Sequence, residues 1–145
     1  MKKLIIYSVL FILFSNFTVG SGTAFLTCKS DSGRTEFYAE IQDIESTLEK
    51  AILTIDETQL QYKTDEGHII FDPENGVLTM YIDDFKSQSK YLQFWSIPST
   101  FKIIKNKNHH QIYEFKAKIY GSEPRENKEN HIPMITLNCK LEYQI

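Results

Sequence analysis

Along the last third of the chain, apolar and polar residues alternate with a period of two. In "IPMITLNCKLEYQI", residues 132–145, Ile135, Leu137, Cys139, Leu141, Tyr143 and Ile145 are apolar, while Thr136, Asn138, Lys140, Glu142 and Gln144 are polar. Successive side chains leave a pleated backbone on opposite sides, so this period predicts a strand with one buried and one wet face. Cys139 falls on the buried side. In "RTEFYAEIQD" the same alternation sets Phe37, Ala39 and Ile41 against Glu36, Tyr38, Glu40 and Gln42. "IYEFKAKIYG" repeats it, with Tyr113, Phe115, Ala117 and Ile119 opposite Glu114, Lys116 and Lys118.

Shorter β-type runs fill the middle of the chain: "AILTID", "QLQYK", "HIIFD", "GVLTMYID", "KYLQFWSI" and "TFKIIK". Turn signals stand between them at 30–33 (SDSG), 64–67 (TDEG), 72–76 (DPENG) and 105–108 (KNKN). In DPENG, Pro73 presets a turn dihedral and Asn75-Gly76 tolerates positive φ, which predicts a hairpin tip. "DDFKSQSKYLQF" reads as a second hairpin turning near Lys86 to Ser89. Ser46 followed three residues later by Glu49 matches a helix capping box, so 43–52 is compatible with one short helix or with a strand running into "AILTID". Pro98 marks a bulge, a strand start or an edge, because proline cannot donate to a ladder. The charged, aperiodic stretch 121–133 reads as the longest exposed loop. Eight to ten short strands at this spacing predict an all-β domain, an antiparallel β-sandwich or a small β-barrel.

The N-terminus, "MKKLIIYSVLFILFSNFTVGSGTA", orders two lysines, an apolar run over Leu4–Phe14 and then small residues. That order is a secretory signal peptide, and the apolar run is too short for a stable transmembrane anchor. Residues 1–20 are therefore read as leader, with cleavage possible up to 24, and 21–145 as a single β domain without an integral membrane segment. Removing the leader takes two lysines and no acid, so the formal charge falls from −3 to −5. A mildly acidic domain has no electrostatic reason to bind nucleic acid or anionic lipid.

Export also changes the meaning of the two cysteines. In an oxidising compartment an even pair in a small domain reads as a structural disulfide, Cys28–Cys139, tying the first strand to the last. Closing so long a loop stabilises by about 4–5 kcal/mol in the chain-entropy account. A lipidated Cys28 is the competing use, but Thr27, preceded by Phe25-Leu26, replaces the small residue that a lipoprotein signal wants there. The dilysine leader, and the lack of an N-x-S/T sequon after it, suit a bacterial periplasmic or secreted protein.

Candidate chemistry is sparse. His68, His109, His110 and His131 lack the spacing of a zinc site, so no metal and no cofactor is expected. There is no G-x-S-x-G elbow and no phosphate-cradling glycine loop, and Asp83-Asp84 sits beside a turn. The most basic stretch, "IIKNKNHH", reads as a wet hairpin. The aromatic segment "YLQFWSIPSTF" is more suggestive. It holds Tyr91, Phe94, the single tryptophan Trp95, and Phe101. As a strand it sets Tyr91 and Trp95 on one face and Leu92 and Phe94 on the other, so both faces are apolar. One face packs the core, and the other is either covered or offered to a partner.

Size, export, the disulfide and this segment make a non-enzymatic module that binds another protein the leading expectation, of inhibitor, immunity or envelope-accessory type. In outline the chain is similar to the small disulfide-tied β-domains that bacteria export as lysozyme inhibitors, although no inhibitory motif of that family stands in it. A β-barrel carrying a small apolar ligand is the alternative. A hydrolase with a dispersed site ranks last.

Overall fold

The alternating segments become ten strands of one antiparallel sheet. The structure, a computed structural model, describes residues 22–42, 47–65, 67–84, 90–122 and 131–144. The strands are β1 (Thr23–Lys29), β2 (Thr35–Gln42), β3 (Thr47–Ile55), β4 (Thr58–Tyr62), β5 (Gly67–Asp72), β6 (Val77–Asp84), β7 (Lys90–Ser96), β8 (Lys102–Lys107), β9 (His110–Ser122) and β10 (His131–Gln144). One 3-10 turn, Pro98–Thr100, interrupts the chain between β7 and β8. The leader assigned to 1–20 and the turn assigned to Lys86–Ser89 lie outside the described residues, as do 123–130 of the stretch expected as a loop, whose ends at 121–122 and 131–133 instead belong to β9 and β10.

The strand order is β4-β3-β2-β1-β10-β9-β7-β6-β5, with β8 also paired to β9. The first and last strands are thus neighbours in the middle of the sheet, while its two edges, β4 and β5, follow one another in sequence. Laid flat, nine strands at the usual spacing would hold those edges about 40 Å apart. The link over 63–66 can span only about 17 Å when fully extended. The sheet must therefore curl until its edges approach. Tyr62 on β4 accordingly donates its hydroxyl to the backbone carbonyl of Ser122 on β9, 3.0 Å away. A Cβ on Gly67, at the start of β5, would lie 3.1 Å from Leu48 Cδ2 on β3. Among the described residues no ladder joins β4 to β5. The result is a barrel-like roll with one open seam.

The inner wall is built by every second residue: Leu26 and Cys28 on β1, Phe37, Ala39 and Ile41 on β2, Leu78, Met80 and Ile82 on β6, Leu92 and Phe94 on β7, and Phe115, Ala117 and Ile119 on β9. Rings from distant strands meet in the middle. Phe37 stacks on Phe94 at 5.4 Å between centroids, and Phe94 meets Phe115 edge-on at 6.5 Å. On β10 a bulge between Ile132 and Ile135 shifts the parity, so that Ile132 faces inward together with Leu137, Cys139 and Leu141. Ile135 and Tyr143, on the apolar side of the plain alternation, end half-buried. Cys28 stands directly opposite Cys139 in the β1–β10 ladder, Cα to Cα 4.0 Å, and the two are bonded. The first and last strands are stapled as expected.

Local choices left open by the sequence resolve through pairing. Thr47–Ile55 is a strand rather than a helix, because there it bonds to β2 on one side and β4 on the other while Leu48, Ala51 and Leu53 reach the core. The turn expected over 105–108 lies slightly later: β8 runs to Lys107, and Asn108 and His109, both at positive φ, close a two-residue hairpin. Pro98 opens the 3-10 turn, where its missing N–H costs nothing.

Candidate functional site

The aromatic segment lies on β7, held between β6 and β9. Two buried serines hold its ends. The backbone N–H of Tyr91 donates to Ser122 Oγ at 2.9 Å. At the other end the N–H of Leu78 donates to Ser96 Oγ at 2.8 Å, and Ser96 Oγ donates onward to the Gly76 carbonyl at 2.7 Å. Leu92 faces Gly121 of β9, where an added Cβ would sit 2.5 Å from the Tyr91 carbonyl oxygen. Glycine is thus required for β7 to lie this close. With the strand fixed, parity does the rest: Leu92, Phe94 and Ser96 point inward, and Tyr91, Gln93 and Trp95 point outward.

Cross-strand pairing assembles an outer patch around those three. Gln93 stands between Tyr81 of β6 and Tyr120 of β9, and Trp95 between Thr79 and Lys118. Tyr120 is the hub. Trp95 meets it edge-on at 5.6 Å and 82°, and Tyr91 does so at 5.8 Å and 72°, the mutual orientation that the ring quadrupoles favour. His131, at the start of β10, lies 6.4 Å from Tyr91 between ring centroids, with Nδ1 3.3 Å from the Tyr91 hydroxyl. Tyr120 donates its hydroxyl to Gln93 Oε1, and Tyr81 donates to Asp83 Oδ2 at 2.8 Å. That hydrogen bond, more than burial, raises the Tyr81 pKa above the ordinary phenol value. Tyr81, Tyr91, Trp95 and Tyr120 are all half-buried, each with part of its ring on the surface. The patch therefore offers ring surface for apolar contact, and hydroxyl, amide and carboxylate groups for hydrogen bonds.

Of the four aromatic residues singled out in the sequence, the fold brings only Tyr91 and Trp95 together on this surface. Phe94 is fully buried and belongs to the core. Phe101 leaves the strand after the 3-10 turn and stacks on Phe115 at 4.8 Å, against the edge of the core. Sequence reasoning missed Tyr81, Tyr120, Gln93 and His131. The signal for Tyr120 was available, since it continues the outward parity of Lys116 and Lys118, but its pairing with Gln93 was not. His110 lies elsewhere, with Nε2 2.7 Å from Glu142 Oε1 and Nδ1 2.8 Å from Lys105 Nζ. Among the described residues no group of three or more His, Cys, Asp or Glu is placed to hold a metal ion.

No protein-family model matches the chain, and neither a curated protein nor a solved structure does. No helix among the described residues is long and apolar enough to cross a membrane.

Proposed function

We propose that the protein is an exported, non-enzymatic module that binds another protein through the outer aromatic patch of β6, β7 and β9. What supports this is the patch itself: Tyr81, Tyr91, Trp95 and Tyr120 gathered, half-buried, on the outside of a sheet whose inside is already packed with its own side chains. Tryptophan and tyrosine combine large contact area with few rotamers, which is why they dominate interface energetics. The Cys28–Cys139 bridge and the leader-like N-terminus support placement in a bacterial periplasm or outside the cell. Carriage of an apolar ligand gains no such support, since Phe37 and Phe94 stack across the interior at 5.4 Å.

The test is photo-crosslinking in envelope extract with the reactive residue at Gln93. An adduct of defined mass is expected, absent when the reactive residue stands at Gln61 on β4 and lost in Trp95→Ala and Tyr120→Ala proteins that remain folded. Equal labelling from Gln93 and Gln61 would overturn the proposal.

A further inference from the structure

The outward face of β9 does not end at the aromatic patch. Below Tyr120 and Lys118 it continues through Lys116 and Glu114 into a concavity of about 820 Å³ over β1, β10, β9 and β8. Strand register fixes its lining in two rows. In one, Thr27 stands opposite Lys140, Lys140 opposite Glu114 and Glu114 opposite Lys102; in the other, Glu36 stands opposite Lys29, Lys29 opposite Asn138 and Asn138 opposite Lys116. Four lysines and two glutamates thus line the concavity, with Glu114 set between Lys140 and Lys102 in its row. Lys29 is engaged by Glu36 at 2.7 Å and Lys140 by Glu142 at 3.2 Å. Lys102, Lys116 and Glu114 make no ion pair among the described residues. The lining carries four lysines against two glutamates in a chain whose formal charge is −3, so the sign here is local and opposite to that of the whole.

We propose that this concavity is a second contact surface, one that takes a protein segment of mixed charge with carboxylates against Lys102, Lys116 and Lys140 and a cation against Glu114. A uniform polyanion would be repelled by Glu114 at the centre of the site. Lysines, unlike arginines, also offer no planar fork for phosphate. An acidic segment with one interior cation matches Lys102, Lys116, Lys140 and Glu114, and like-charge contacts reject other partners. Continuity along β9 lets one partner span both surfaces, but the concavity stands on its own residues and does not depend on the aromatic patch.

Two synthetic peptides titrated into the labelled protein test this by NMR at low salt: EEKEE and EEEEE. EEKEE is expected to bind more tightly, with shifts confined to 27–29, 99–102, 114–116 and 138–140. Lys102→Glu with Lys116→Glu should weaken it about tenfold or more, and 0.5 M salt should do the same. Glu114→Gln should invert the preference toward EEEEE. Trp95→Ala should leave all of this unchanged, which separates the concavity from the aromatic patch. Binding by wild-type protein that favours EEEEE or inorganic polyphosphate over EEKEE would overturn the proposal, as would shifts scattered over the surface or an affinity insensitive to the lysine reversals.

Discussion

Phe94 and Trp95 are adjacent in the chain and comparable in size, yet one is sealed inside the roll while the other lies half-buried on its outer wall. The inner residue stacks on Phe37 from β2 and meets Phe115 from β9, so it ties distant strands together. The outer one touches Tyr120 on the strand next door. The inner wall stores the stability of the fold in contacts between strands far apart in sequence. The outer wall carries large side chains that lie outside that sealed interior, and such surface is where a binding role can be hosted.

Substitutions on the two walls should therefore separate cleanly. The largest loss is expected for Phe94→Ala, about 3–5 kcal/mol by urea unfolding, because it removes the fully buried ring packed between Phe37 and Phe115. A loss below about 1 kcal/mol would mean that the interior is loosely packed. Next comes Cys28→Ser with Cys139→Ser, about 2–5 kcal/mol, because the bridge closes a separation of 111 residues between the first and last strands. Thiol titration of the oxidised wild-type protein should find no free sulfhydryl.

Tyr62→Phe should cost about 0.5–1.5 kcal/mol through loss of the buried bond to the Ser122 carbonyl, with the transition still cooperative. Trp95→Ala is the informative contrast. Its expected stability cost is about 1 kcal/mol or less, while partner binding should fall by about 2 kcal/mol or more, measured by the crosslinking yield against concentration. If Trp95→Ala unfolds the protein as Phe94→Ala does, the two walls are not distinct.

The smallest effects concern pH. Lys50, hydrogen-bonded at 2.9 Å, and then Tyr38 hold the Glu40 carboxyl below its ordinary range, and His110 and then Lys140 do the same for Glu142. A carboxylate lowered in the folded state contributes stability that is present above its unfolded pKa and lost as pH falls through the lowered value. Unfolding midpoints should thus drop on the acid side, and Lys50→Gln should flatten that limb by about 1 kcal/mol or less. Tyr38 has the opposite sign. Burial, and then its bond to Glu40, push its pKa up to about 12, so its contribution is full below the ordinary phenol pKa and disappears between about pH 10 and 12. Absorbance titration should show Tyr38→Phe losing a late-ionising phenol.

The β class, the wall to which most strand residues belong and the pairing of the two cysteines could all be read from the chain alone. Each follows from rules that are local or compositional: side chains alternate along any strand, and an even cysteine pair in a small domain behind a leader-like N-terminus is expected to bridge. Even Phe94 against Trp95 follows from counting by two. Where the alternation misleads, the cause is local too, as on β10, where the bulge after Ile132 changes which residues face inward.

Tertiary structure alone decided which strands are neighbours, and with that everything that depends on a second strand. The curl that brings β4 toward β5 is imposed by a link too short to cross a flat sheet, a constraint visible only once strand order is known. Tyr81, Gln93 and Tyr120 form one row, and Lys102, Glu114 and Lys140 another, because of register between segments tens of residues apart. A period of two says which way a side chain points, while its partner is set by pairing between distant parts of the chain that no single segment encodes.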